Sequence, residues 1–367
     1  MANPALIVFI DSLPFSYVRK MSFLPSARTI CELTPGFGYS INLLPELFSG
    51  RRPDELGFFC EWGYAPLESE SARITWLLPL LERLCVTPSA ERVIRRLLRQ
   101  VVGPTSKIRP RYLDRFARVG IDVYSSDFPY PTIFTCTPDL MVILSNRGPR
   151  RQRDEGGYLE ARRQVQVHDK IYLALPDLDS YGHAYGVGAP KYDLKVQQLD
   201  GWLEDLCGIF LRRYPDGRMV LVSDHGMANV ERGYRLAIED QIAPSERDTY
   251  TIFLDSTLLR VWIHDTSLNE PIHNYLDSLG VGKLIEPDER ARYGIESRDF
   301  GDLIFVLNEG IVFQPNYLSD RVPRAMHGYH PELASQKSIF AAWGIPWPEE
   351  PRPETTVEVA GVLMSIL

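Results

Sequence analysis

No two cysteines of this chain form a C-x-x-C pair. Its five, Cys31, Cys60, Cys85, Cys136 and Cys207, are scattered and odd in number. That argues against a disulfide scaffold or a cysteine zinc site and fits reduced, mostly buried thiols of a cytoplasmic protein. Long hydrophobic runs are missing too. The first, Ala5 to Ile10, follows no basic stretch and is too short for a signal peptide or a membrane span, so it reads as a strand and no membrane span is expected. Positive charge is not in excess: 40 Lys and Arg face 48 Asp and Glu, a formal net charge of −8. Nucleic-acid affinity rests on basic patches, so a nucleic acid polymer is not an expected partner. A small phosphate ester is compatible, because bound cations can supply positive charge locally. Internal repeats are absent, and the one biased stretch is Pro/Glu-rich, Pro346 to Glu354.

What is present is an ordinary globular composition, 44% hydrophobic and 24% charged, over 367 residues. That is enough for one large α/β domain with an insertion or for two domains. Three apolar runs end on acids. Ala5 to Ile10 leads into Asp11, Lys170 to Leu175 leads through Pro176 into Asp177 and Asp179, and Met219 to Val222 leads through Ser223 into Asp224 and His225. A carboxylate beside an imidazole at the tip of a buried strand is costly to desolvate without a partner. Read alone, Asp224-His225 is equally a surface hydrogen-bonded turn or half of a metal site. Three strands delivering acids to one edge favour the metal site, since parallel sheets bind ligands beyond the carboxyl ends of their strands. His183 stands four residues after Asp179, so on a helix the two share a face.

In chain order, Thr34 to Ser40 is turn-rich and Ile41 to Phe48 reads as a helix closed by Gly50. Ser40 stands at its start, either as a plain N-cap or as a nucleophile at the positive helix end. Residues 65–167 differ in character, with two amphipathic helices and an aromatic- and proline-rich stretch from Tyr124 to Phe134. They read as an inserted cap and substrate region on a core formed by 1–64 and 168–367. Val196, Leu199, Leu203, Leu206 and Phe210 follow a helical period. His264 and His273 read as surface histidines, and Ser338 to Gly344 as a last buried strand.

Taken together, Phe9-Ile-Asp11, Gly38-Tyr-Ser40 with Ser49-Gly-Arg-Arg-Pro53 and Gly57, Pro176-Asp-Leu-Asp179-Ser-Tyr-Gly-His183, Ser223-Asp-His-Gly-Met227 and His327-Gly-Tyr329 resemble, in this order, the alkaline phosphatase superfamily and its type I phosphodiesterase/nucleotide pyrophosphatase branch. The resemblance implies an α/β core with a central, mostly parallel sheet flanked by helices. It also implies two divalent metal ions, usually zinc, with manganese or iron open. By position, Asp179, His183 and His327 would hold one metal, with His330 as the alternative last ligand. Asp11, Asp224 and His225 would hold the other, together with the oxygen of the nucleophile. Spacing to Gly50 selects Ser40 as that nucleophile, and an alignment with an insertion selects Thr34. Relatives with threonine carry an asparagine three residues later on the phosphoryl oxygen. Leu43 stands there in this chain, and the neighbouring Asn42 takes the substrate-binding role.

The implied activity is two-metal hydrolysis or transfer at a phosphodiester or pyrophosphate bond through a covalent serine intermediate. Alternatives on the same fold are a phosphomonoesterase, a phosphonatase or a mutase, and outside catalysis a binding protein. A diester is favoured because a monoester dianion needs extra cationic donors, for which arginine is the usual device. None lies between Thr34 and Ser49. Arg51 and Arg52 come after the helix, and Arg260 lies on another strand. Phe59, Trp62 and Tyr64, leading into the insertion, would offer a stacking surface for a base or an apolar group.

Overall fold

The structure is a computed structural model that describes residues 4–65, 76–85, 87–102, 108–109, 112–119, 122–145, 153–242, 249–319, 321–347 and 349–367. Parts of the segment expected as a cap lie outside these residues. By compactness the chain divides into two units. The first comprises 1–52, 121–230 and 323–367, and the second 53–120 and 231–322.

The first unit contains the runs that end on acids. We label its sheet strands β1 (Ala5–Ile10), β2 (Thr29–Leu33), β3 (Met141–Leu144), β4 (Lys170–Leu175), β5 (Arg218–Val222) and β6 (Ser338–Gly344). Their order is β2-β6-β5-β1-β4-β3. β1 pairs in parallel with β4 and β5, and β3 extends the parallel set beyond β4. β6 runs antiparallel to both β5 and β2. β1 and β5 are buried along their whole length, which is why they read as continuous apolar runs rather than alternating ones.

Helices cover both faces of this sheet. α1 (Ser40–Ser49) places Phe48 edge-on against Phe9 and Tyr172, at ring separations of 6.1 and 5.5 Å. α2 (Arg153–Gln164) packs along β4, and α3 (Asp177–Tyr185) follows β4 directly. On the face opposite α1, and in one core with Ala161 of α2 and Leu178 of α3, α4 (Pro190–Arg213) buries Val196, Leu199, Leu203, Leu206 and Phe210 against Leu6, Leu173 and Leu221. α5 (Thr356–Ile366) packs against α1. Gly50 closes α1 with φ 68°, a left-handed conformation that glycine adopts without a Cβ penalty.

The second unit is built on a four-stranded antiparallel sheet in the order Tyr250–Leu254, Leu258–Ile263, Leu303–Leu307, Gly282–Leu284. The helices expected after residue 76 span Leu78–Leu84 and Pro88–Val102.

Three expectations change. The division of the chain does not follow 1–64 plus 168–367 against 65–167. β3 completes the parallel sheet of the first unit, while 231–322 pairs its strands within the second. Phe59, Trp62 and Tyr64 form no exposed stacking surface. Phe59 and Trp62 are buried, Phe59 packs on Phe300, and Tyr64 stacks on Trp262 at 5.0 Å. All five cysteines are free, yet among them only Cys60 and Cys207 are buried. Among the described residues, no helix is long and apolar enough to cross a membrane.

Arg260 is buried in the core of the second unit. Its Nε donates to Asp255 Oδ2 at 3.2 Å, another guanidinium N–H donates to Trp62 O at 2.9 Å, and its plane lies over Phe253. Burial pushes the Asp255 carboxyl up to about 6, although Arg260 pulls the other way. Because this folded-state value exceeds that of an unfolded aspartate, the contribution to stability is full at low pH and is lost as pH rises through about 6. Asp255→Ala leaves the guanidinium buried without its partner, and thermal unfolding should show a loss of about 3–5 kcal/mol. Asp255→Asn keeps an acceptor, should cost less, and should remove the pH dependence.

Candidate functional site

β5, β1 and β4 are adjacent and parallel, so their carboxyl ends share one sheet edge, where open α/β sheets bind ligands. Asp11 follows β1, Asp179 sits in the first turn of α3, and Asp224-His225 follow β5 after Ser223. His183 lies one turn along α3 with Nε2 3.2 Å from Asp179 Oδ1. His327 arrives from far along the chain. The strand Ala325–Met326 pairs antiparallel with Ala228–Asn229, and this stacks the His327 ring on His225 at 3.8 Å and 13°.

The ligand atoms of Asp11, Asp224 and His225 form one compact group, and those of Asp179, His225 and His327 form another, each within 4.8 Å. His183 borders the second group through Asp179. His225 Nε2 is 3.6 Å from Asp11 Oδ1 and 3.4 Å from Asp224 Oδ2, and His327 Nε2 is 3.5 Å from Asp179 Oδ1. Ser40, the first residue of α1, lies with Oγ 2.9 Å from His225 Nε2 and 3.4 Å from Asp11 Oδ1.

The donor set fits divalent cations. Nδ1 of His183 lies 2.8 Å from Ala325 O, and Nδ1 of His225 lies 2.8 Å from Gly226 O. A carbonyl can only accept, so each Nδ1 carries the proton and, in the neutral ring, each Nε2 offers a lone pair. Asp179 Oδ1 and Asp224 Oδ2 are buried with no hydrogen-bond donor. Lone pairs therefore face lone pairs across the cluster. A cation resolves that arrangement, and zinc accepts mixed Asp oxygen and His nitrogen ligands.

The electrostatics agree. Burial raises Asp11 well above the usual carboxylate range, reinforced by Asp224 and Asp179, and burial likewise raises Asp224. Burial alone would raise Asp179 too, but His183, His327 and His225 hold it below that range. Burial depresses His183 less than Asp179 raises it, so its net shift is upward. Burial, with His225 stacked against it, pushes His327 well down.

Local backbone features shape this edge. Ser12, after Asp11, has φ 63°, uncommon for a residue other than glycine, and its N–H donates to Asp224 Oδ1 at 3.2 Å. Leu13 N donates to Ser223 Oγ at 2.8 Å. Gly226 is needed for close approach: a Cβ there would overlap the carbonyl oxygens of Ser335 and Lys337.

Several sequence-derived candidates fall elsewhere. Thr34 Oγ1 accepts a hydrogen bond from Lys337 Nζ at 2.8 Å. His330 lies outside both ligand groups. Its Nδ1 accepts from Glu332 N, and its ring packs edge-on against Phe37. Asn42 does not serve as a substrate contact. It is fully buried, its Oδ1 accepts from Tyr39 N, and its Nδ2 donates to Phe37 O and Glu46 Oε1, so its amide is spent inside the fold. Asp177 is turned away to Arg153 and Asp154 N.

Other supports carried no signal in the sequence. Gln336 Oε1 accepts from Gly328 N and Tyr329 N and so holds the turn after His327. Asp154 and buried Lys195, 2.9 Å apart, brace the start of α3, with Asp154 Oδ1 accepting from Asp177 N. Residue type alone does not mark these roles, because they depend on partners distant in the chain.

The family model described as type I phosphodiesterase / nucleotide pyrophosphatase matches residues 100–330. The chain belongs to this family. As a type I phosphodiesterase-family protein it is a phosphoester hydrolase of the alkaline phosphatase superfamily. Solved structures share its fold. Human ectonucleotide pyrophosphatase / phosphodiesterase 5 is similar with TM-score 0.66 and 15% identity over 98% of this chain and 94% of that one. An inactive form of the murine protein, in complex with AMP, gives 0.62 and 16% over 99% and 94%. Phosphonoacetate hydrolase from Sinorhizobium meliloti 1021, in complex with phosphonoformate, gives 0.68 and 13% over 100% and 95%. No curated protein matches this family member in sequence.

The geometry separates the two candidate last ligands. Loss of supporting groups around a metal typically costs roughly 10–100-fold in affinity. Zinc titrations should therefore show His327→Ala weakened at least that much. His330→Ala should bind like the parent protein, and the reverse order would move the site toward Phe37.

Proposed function

We propose that this protein cleaves phosphodiester or pyrophosphate bonds with Ser40 as nucleophile. In this reading two divalent cations, zinc first and manganese or iron next, are held by Asp11, Asp224 and His225 and by Asp179, His183 and His327. The observation that carries the proposal is Ser40 Oγ at the start of α1, within 2.9 Å of His225 Nε2 and 3.4 Å of Asp11 Oδ1. When bound, such cations would acidify the serine hydroxyl and balance the charge of the phosphoryl oxygens.

The chain's own groups would do the rest. The hydrogen bond from His225 Nδ1 to Gly226 O keeps Nε2 aimed at Ser40. The positive end of α1 favours a phosphoryl group beside Ser40. Ser40 Oγ attacks phosphorus and loses its proton. The bond to the leaving alkoxide or phosphate breaks, and the other substituent stays on a seryl phosphodiester. Water then attacks from the opposite face, the bond from phosphorus to serine oxygen breaks, and Ser40 regains a proton. The free cysteines support a reducing compartment such as the cytoplasm.

Diester preference follows from the charges nearby. The groups acting most strongly on Asp11, Asp179 and Asp224 are one another and the histidines. Lys337 is engaged with Glu332, Lys195 with Asp154 and Arg153 with Asp177. Arg51 lies over Tyr130, and Arg260 is taken up by Asp255. A singly charged diester suits such a site better than a dianion.

Two measurements test this reading. Ser40→Ala should fold and bind zinc yet lose nearly all turnover, whereas Thr34→Ala should lose little. A reversed result would make Thr34 the nucleophile.

A nitrophenyl ester of a nucleotide should give a higher kcat/KM than the matching monoester, with activity abolished by a chelator and restored by zinc or manganese. A clear monoester preference would move the protein to the phosphatase or mutase branch.

A further inference from the structure

Helix α1 carries a carboxyl where its face toward the protein interior would ordinarily be apolar. Glu46 is fully buried; its Oε1 accepts from Asn42 Nδ2 at 2.9 Å, and its Oε2 has no hydrogen-bond partner. Asn42 passes this contact on. Its second amide hydrogen goes to Phe37 O at 2.8 Å, and its Oδ1 receives Tyr39 N at 2.9 Å. The turn is moulded to these two side chains. A Cβ on Gly36 would overlap the Glu46 carboxyl, and one on Gly38, at φ 113°, would overlap Asn42 Oδ1. Ser40 is the residue that leaves this turn.

We propose that Glu46 is a positioning residue: through Asn42 it fixes the turn 36–39, and with it the direction in which Ser40 Oγ leaves the start of α1. The inference rests on Ser40 being the nucleophile. A one-ångström misplacement of a reacting group can cost on the order of a hundredfold in rate, so a turn fixed by a buried side-chain pair has kinetic consequences. Burial pushes the Glu46 carboxyl up to about 8, with Asn42 and Arg52 partly offsetting it. The carboxyl is therefore neutral at neutral pH and adds no buried charge to the turn. The elements around it bring little else that is charged. Residues 34–38 include no charged side chain. Lys337, which holds Thr34, is paired with Glu332. On α5, Glu358 is exposed and accepts from Glu354 N. Since the folded-state value is raised, the stability that Glu46 contributes is full at lower pH and is lost as pH rises through about 8, when the buried carboxyl must carry a charge that Asn42 and Arg52 only partly offset.

The test compares Glu46→Ala, Glu46→Gln and the parent protein by steady-state kinetics on bis(4-nitrophenyl) phosphate, zinc content and amide exchange of residues 36–42 across neutral and alkaline pH. Glu46→Ala should lower kcat roughly tenfold or more, with KM and zinc content little changed, and should speed exchange at Tyr39 N–H. Glu46→Gln, which keeps an acceptor for Asn42 but cannot ionise, should restore kcat and lose the alkaline decline of the parent. A Glu46→Ala protein that is less stable but keeps the parent kcat overturns the proposal. So does a Glu46→Gln protein with the parent's alkaline profile, and this comparison decides the matter if the alanine variant does not fold. Full turnover by Ser40→Ala would instead overturn the nucleophile reading, and Tyr39 exchange would then report alone whether Glu46 holds the turn.

Discussion

Carboxylates and imidazoles converge at one sheet edge with too few donors among them. Asp11, Asp179 and Asp224 lie close enough to act on one another, and Asp179 Oδ1 and Asp224 Oδ2 are buried without a hydrogen bond. The neighbouring imidazoles do not relieve this in their neutral form, because His183 and His225 direct their Nδ1 protons to backbone carbonyls. Unsatisfied buried acids are costly, so such an arrangement persists when something cationic completes it or the rest of the fold enforces it. The first unit supplies the enforcement. Three adjacent parallel strands bring the acids to one place, and a short ladder at Met326 and Ala228 brings in His327.

Around the ligand groups lies a frame of residues that are not themselves among the candidate metal ligands. Ser12 accepts a left-handed conformation and turns its N–H to Asp224. Gly226 lets the segment from Ser335 to Lys337 pass against the Asp224-His225 turn. Gln336 holds the turn after His327, and Asp154 with Lys195 braces the start of α3 below Asp179. Glu46 and Asn42 do the same for the turn before Ser40. Each contact is ordinary by itself. Together they fix ligand directions, which ligand identity alone cannot do.

The readable part of the site was local. Apolar runs that end on Asp11 and Asp224, and an Asp–His pair at helical spacing, can be recognised without knowing what else is near. Asn42 misled because its position beside an expected phosphoryl contact says nothing about where its amide points, and the fold uses every part of that amide. Phe59, Trp62 and Tyr64 misled because aromatic side chains serve a core as readily as a ligand surface. The division of the chain misled because compositional change marks where character shifts, whereas β3 belongs with β4 through backbone pairing that composition does not encode.

The sequence by itself determined the strands, their acidic ends and the Asp179–His183 pair, since burial pattern and residue spacing are local properties of a chain. It also determined the order of motifs that marks the family. Only the tertiary structure decided between Ser40 and Thr34 as the hydroxyl beside His225, between His327 and His330 as the ring stacked on it, and between Asp179 and Asp177 as the acid turned to the cluster. Those choices depend on which strands become neighbours and which side chains are already claimed by lysine, arginine or backbone partners. The partners of Thr34 and Asp177 stand tens to hundreds of residues away, and folding alone brings them within a few ångströms.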